Sequence, residues 1–145
     1  MPSPELADLL ERLALDPEDA SLNYEVACAH DREGLEHEAV PFYVRAIASG
    51  LAGDQLRGAY LGLGSTYRAI GDYEAALRTF DQGLEVFGEA EELIVFRAMA
   101  LHNLGRSDEA MTHVLQMLAS HSDSPWIERY RRAILFYADR LGETW

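Results

Sequence analysis

Lysine is absent from this chain. All 12 basic residues are arginine, they face 25 acidic residues, and the net charge is −13. So acidic a surface repels phosphate backbones and anionic headgroups, which argues against broad nucleic-acid or membrane-surface binding. Cysteine occurs once, as Cys28, so an internal disulfide framework is excluded and a reducing compartment fits. No apolar run approaches bilayer length, and the opening MPSPELADLLERLALD carries acids where a signal peptide carries a basic start. The expectation is a soluble cytoplasmic protein.

Catalytic patterns are also lacking. The five histidines, His30, His37, His102, His113 and His121, include no i, i+4 pair and no HExxH, the arrangement that puts two ring nitrogens on one helical face for zinc. There is no nucleophile elbow or phosphate loop, and Gly62-Leu63-Gly64 reads as part of a helix and not as a turn after a strand. Cys28 has Glu25 and Asp31 within a turn, company that argues against a nucleophile. Catalytic, cofactor and metal residues are therefore expected to be none, and the chain reads as a non-enzyme.

What is present is helical periodicity. Between residues 57 and 88, Tyr60, Leu63, Gly64 and Tyr67 recur at helical spacing, Gly71 and Asp72 interrupt, and Leu77, Phe80 and Leu84 resume the period. A glycine that can end one helix in a left-handed conformation and an aspartate that can cap the next predict a tight turn between two antiparallel helices. Gly64 and Ala76 are small where two helix backbones would come closest. The same landmarks recur upstream as Ala27, Gly34, Ala39 and Tyr43, each 37 residues earlier, and downstream as Ala98, Gly105, Ala110 and Val114, each 34 residues later. Four positions shifting together mark a structural repeat. The three extra residues fall between Gly50 and Arg57, where they predict a longer loop or an extra turn, with Asp54 as a capping residue.

The set of an aromatic, Leu-Gly-x-x-Tyr, then Gly-Asp-Tyr, Ala and Phe resembles the tetratricopeptide repeat. The acidic first helix and the ending RYRRAILFYADRL also resemble small free-standing bacterial proteins of that family with no assigned function. The resemblance implies an all-α fold of about eight helices, a right-handed superhelical array of antiparallel pairs in one domain. Residues 3–15 would be a half-repeat helix, 20–53, 57–90 and 91–124 the repeats, and 125–141 a capping helix. Asp16 is expected to cap the helix beginning near Pro17, and Pro41 to bend its helix without breaking it. The last helix should turn Ile127, Tyr130, Ile134, Tyr137, Ala138 and Leu141 inward.

In this family the first helix of each pair lines a concave groove, so the resemblance places candidate partner-binding residues there. They are Tyr24, Glu25, Cys28 and Asp31 from the first copy, Leu61, Ser65 and Arg68 from the second, and Glu92, Phe96, Met99, His102 and Asn103 from the third. The carboxylate clamp by which some members hold acidic chaperone tails is not matched, because Tyr24, Cys28, Gly62, Glu92 and Phe96 occupy its positions and supply no cationic or amide donor. The expected partner is a protein or peptide, basic or neutral rather than acidic. A self-associating structural protein and an accessory or sensor domain for a small ligand stand as alternatives. Arg129, Arg132 and Arg140 around Phe136 form a possible interface, by which a homo-oligomer could assemble.

Overall fold

The computed structural model describes residues 1–145, which form eight α-helices and no strand. They are α1 (Pro4–Leu15), α2 (Ala20–Arg32), α3 (Glu36–Ala48), α4 (Gly53–Ala69), α5 (Tyr73–Phe87), α6 (Glu91–Asn103), α7 (Ser107–His121) and α8 (Pro125–Ala138). Helices α2 and α3, α4 and α5, and α6 and α7 pack as antiparallel pairs. Each second helix also packs on the first helix of the next pair, and α2, α4 and α6 touch side by side. The result is a solenoid with the first helices along one surface.

Its regularity comes from one turn used three times. Gly34, Gly71 and Gly105 have φ of 70°, 86° and 76°, a region that costs glycine nothing. In each turn the next N–H reaches back five residues: Leu35 to the His30 carbonyl, Asp72 to Tyr67 and Arg106 to Leu101, at 2.9, 2.9 and 2.8 Å. This 6→1 bond closes the first helix of the pair and sets the angle of the second. Asp72 then caps α5, its Oδ1 accepting from the Ala75 N–H at 3.1 Å.

Each junction from α1 to α7 has its own apolar core. Leu6, Leu9, Leu13, Val26 and Ala29 join α1 to α2. Ala27, Ala39, Tyr43, Ala46, Ala59 and Leu63 fill the space among α2, α3 and α4. Ala76, Phe80, Leu93 and Ala100 do the same for α4, α5 and α6, and Leu77, Ala98, Leu101 and Ala110 for α5, α6 and α7. His30 is a packed core residue, its Nδ1 2.8 Å from the Val26 carbonyl and its ring stacked on Phe42.

Local expectations fare differently. The three-residue excess lies in α4, which has 17 residues where α2 and α6 have 13, so it is an added turn and Asp54 lies inside the helix. Pro41 is accommodated within an unbroken α3. The cap of α2 is Asp19 and not Asp16: the Asp19 carboxylate accepts from Leu22 at 2.7 Å, while Asp16 closes α1. Pro17 lies in the turn between them. Asn23, which stands where the central copy has Tyr60 and the third Ile94, is fully buried and donates to the carbonyls of Pro17 and Asp19 at 2.9 and 2.8 Å, which ties that turn to the helix.

Helix α8 departs most from expectation. It packs on α7 alone and does not touch α6. The stripe it turns toward α7 is Ile127, Arg131, Ile134 and Ala138, and only Ala138 is buried. Tyr130, Tyr137 and Leu141, expected inward, are 52%, 50% and 47% exposed, and Leu141 lies beyond the end of the helix. The reason lies in the stripe itself. Arg131 occupies its middle and donates to the Ala119 carbonyl at 2.7 Å, and a cation there keeps the packing shallow.

Candidate functional site

The concave surface is built from the exposed faces of α2, α4 and α6, and polar contacts about one repeat apart hold those helices in register. Between α2 and α4, Gln55 Nε2 donates to Ser21 Oγ at 2.8 Å at one end and Thr66 Oγ1 to Asp31 Oδ1 at 3.0 Å at the other. Between α4 and α6, Arg57 grips Glu92 with two bonds, Nη2 to Oε2 at 2.6 Å, and Arg68 Nε donates to Asn103 Oδ1 at 2.7 Å. Four predicted groove residues, Asp31, Arg68, Glu92 and Asn103, are thus engaged within the chain.

Asp31 sits in a small, partly buried network. The Tyr43 hydroxyl donates to its Oδ2 at 2.6 Å and lies 3.7 Å from the Cys28 sulfur. Burial raises the Asp31 carboxyl above its ordinary value, outweighing the hydrogen bonds from Tyr43 and Thr66 that favour the anion. Burial likewise raises the Tyr43 hydroxyl, the bond to Asp31 adding to it, and pushes Tyr24 up to about 12, with Cys28 contributing. Glu92 is lowered, chiefly by its hydrogen bond from Arg57. Its charge is balanced by the Arg57 guanidinium, which leaves little of it to repel an acidic ligand.

The remaining predicted positions divide into packed and open. Tyr24 is half-buried, its hydroxyl lying where a Cβ on Gly58 would stand. Leu61 and Phe96 pack against the core around Phe80, the Phe96 ring 6.4 Å from that of Phe80. Glu25 and Cys28 face a cleft of about 430 Å³ shared with Glu5, Asp8, Arg12 and Arg32. Ser65 is partly exposed on α4. His102 is exposed, with Nδ1 2.9 Å from Ser107 Oγ. Met99 is 38% exposed.

Met99 and His102 belong to a largely apolar depression of about 380 Å³. Val95, Ala98 and Met99 of α6, Ala110, Met111 and Val114 of α7 and the rim residues Arg68, His102 and Ser107 line it. It exists because α8 stays on α7 and leaves the junction of α6 and α7 uncovered. Sequence reasoning missed Met111 and Val114, since second helices were assigned to the outer layer. The available signal was Arg131, whose charge in the α8 stripe foretells an incomplete cover.

At the far end Phe136 is 47% exposed, with the Arg140 guanidinium 4.6 Å over its ring, while Arg129 lies 5.3 Å over Trp126. Arg129, Arg132, Phe136 and Arg140 share the face opposite the packed stripe. Arg140 pairs with Asp139 at 2.7 Å, whereas Arg129 and Arg132 form no ion pair.

A family model described as Tetratrico peptide repeat matches residues 20–141. Among solved structures, the crystal structure of MamA protein superposes with a TM-score of 0.70 at 19% sequence identity, over 88% of this chain and 64% of that one. At that identity the likeness concerns the fold, and this chain spans less than two thirds of that protein's length. No curated protein matches the chain.

Proposed function

The chain belongs to the tetratricopeptide repeat family, and from that premise we propose that it is a non-enzymatic interaction module that holds a segment of a partner protein on its concave surface. Repeats of this kind generally mediate protein–protein contact. The observation that supports the reading here is the apolar depression between α6 and α7, open to solvent and continuous with the first-helix surface through Met99 and His102. A bulky aliphatic or aromatic side chain of the partner seats there, against two methionines whose flexible thioethers adapt to its shape.

Charge sets the character of the rest of the segment. With Asp31 and Glu92 engaged, the unpaired acid of the predicted set is Glu25, which faces the cleft at the other end, where Glu5 and Asp8 pair with Arg32 and Arg12 at 2.6 and 3.8 Å. The overall charge of −13 adds a long-range preference for basic or neutral partners. The lone free Cys28 agrees with a cytoplasmic setting.

Panning a random peptide library on the immobilised chain tests this. Selected peptides should carry one large apolar residue with neutral or basic flanks, and Met99→Asp should weaken them at least tenfold without lowering the melting temperature. Acidic consensus peptides, or equal binding by Met99→Asp and the parent, refute the proposal.

A further inference from the structure

On the side away from the concave surface, a groove of about 390 Å³ runs between α5 and α7 with α6 as its floor. A matching groove lies one repeat earlier, between α3 and α5 over α4, and the repeat offsets allow the two to be compared position by position. The earlier groove is lined by Val44, Leu63 and Thr79. Their counterparts in the later one are Asp81, Arg97 and His113, one on each helix, so three facing positions differ together. They are also bonded together: Arg97 Nε donates to Asp81 Oδ1 at 2.6 Å and Nη1 to His113 Nδ1 at 2.9 Å. The Arg97 side chain is only 16% exposed, in the place where Leu63 is a core residue. A buried ion pair is commonly no more stabilising than the apolar residues that could replace it, so stability alone does not account for the exchange.

The groups left unbonded define the ligand. The Nη2 of Arg97 is free to donate, since Glu109 lies 3.9 Å from it. Because His113 Nδ1 accepts from the guanidinium, the neutral ring carries its proton on Nε2, a second donor. This end of the groove suits a carboxylate. At the other end His121 donates through Nδ1 to the Met117 carbonyl at 3.0 Å, so the lone pair of its neutral ring is on Nε2, and oxygens of Glu91 and Glu89 lie 3.7 and 3.9 Å from that atom. Three acceptors converge there, and one ammonium group has three N–H to give. Between the ends Leu84, Ile94 and Met117 are apolar, while Gln116 and Ser120 offer an amide and a hydroxyl. Arg97 and Glu91 are six residues apart on α6, about 9 Å along its axis, and an extended tripeptide spans about 10 Å. We propose that this groove binds a short zwitterionic peptide, about three residues with both termini free, its carboxylate on Arg97 and His113 and its ammonium among Glu89, Glu91 and His121. The peptide amides meet Gln116 and Ser120, and an apolar side chain rests on Ile94 and Met117. The groove is separate from the concave surface and does not depend on the binding proposed there.

Isothermal titration calorimetry with the tripeptide Ala-Leu-Ala tests the proposal, beside its N-acetyl form, its C-terminal amide and ω-aminooctanoate, which has a similar span and no peptide group. The parent should bind the free tripeptide, and each of the other three at least tenfold more weakly. Arg97→Leu, which installs the residue of the equivalent groove, should weaken the free tripeptide at least tenfold and no longer tell it from its amide. Glu89→Gln with Glu91→Gln changes two exposed side chains and leaves the core untouched. That variant should no longer tell the free tripeptide from its acetyl form. Met99→Asp should bind the tripeptide like the parent, which separates this groove from the concave surface. A parent that takes up no tripeptide at millimolar concentration overturns the proposal. So does equal binding of the acetyl form, the amide or ω-aminooctanoate, or equal binding by Arg97→Leu and the parent. Should Arg97→Leu fail to fold by circular dichroism, the glutamine pair decides, and undiminished binding there overturns the proposal.

Discussion

Adding one methyl group at Gly64 tests the central packing directly. A Cβ built there lies 2.3, 2.6 and 2.7 Å from three carbons of the Phe80 ring, closer than real contacts allow. The ring is fully buried beside Ala76, Ala90 and Leu93, themselves within 1% of complete burial, so it has nowhere to move. Overpacking of this kind costs about 1–3 kcal/mol, and a rigid site belongs at the upper end. Alanine recovers about 1 kcal/mol of helix propensity over glycine. Gly64→Ala should therefore be destabilised by about 1–2 kcal/mol, or roughly 2–4 °C of melting temperature per kcal/mol at this chain length. Gly58 provides the control. Its Cβ would also meet an atom at 2.3 Å, but that atom is the hydroxyl at the end of the half-buried Tyr24 side chain, which can swing aside. Gly58→Ala should be neutral or stabilised by up to about 1 kcal/mol. The assay is thermal and urea unfolding followed by circular dichroism. In a double-mutant cycle, Phe80→Leu should cost less in the Gly64→Ala background than in the parent, since the smaller side chain relieves the clash. A Gly64→Ala variant as stable as the parent, or equal losses at Gly58 and Gly64, would refute the reasoning.

Two further outcomes are expected. Because burial raises the folded-state pKa of Asp31 above its ordinary value, the folded chain takes up that proton first, and stability withheld at neutral pH returns as the pH falls through the raised value. The parent should therefore gain on Asp31→Asn as the pH is lowered from neutral into the acid range, and calorimetry showing a pH-independent difference would contradict this. Pro41 is exposed within α3 and lacks the N–H that would bond the His37 carbonyl, so Pro41→Ala should raise stability by about 1–2 kcal/mol in urea unfolding. A variant no more stable than the parent would place the source of helical stability elsewhere.

Periodicity and turn chemistry made most of the fold legible. The shared offsets of Gly34, Gly71 and Gly105 predict three equivalent turns, and the three 6→1 bonds are their physical counterpart. Capping was less legible around Pro17, because Asp16 and Asp19 carry the same group and only the path of the turn, fixed by buried Asn23, selects between them. The concave surface was partly legible. A helical face can be read from spacing, but whether a polar side chain on it is free depends on its neighbour one repeat away. Reading Arg57 against Glu92, or Arg68 against Asn103, at that offset would have found the pairings. The lie of α8 was least legible, since its apolar residues cover a wide arc and only contact with α7 decides which narrow part of the arc is buried.

The contacts that join α2 to α4 and α4 to α6 occur near both ends of each pair, and this gives the array a mechanical character. Two plates fastened at one point along a common edge can still swivel; fastened at two, they turn as one. The first helices from α2 to α6 are fastened in that way, by Ser21 to Gln55 and Asp31 to Thr66, then Arg57 to Glu92 and Arg68 to Asn103. No corresponding fastening joins α6 to α8. A segment lying on the first three of these helices meets a template braced from helix to helix, while one reaching α8 meets a helix fastened to α7 instead, by Arg131 on the Ala119 carbonyl and Thr112 on the Ala138 carbonyl at 2.7 and 2.6 Å.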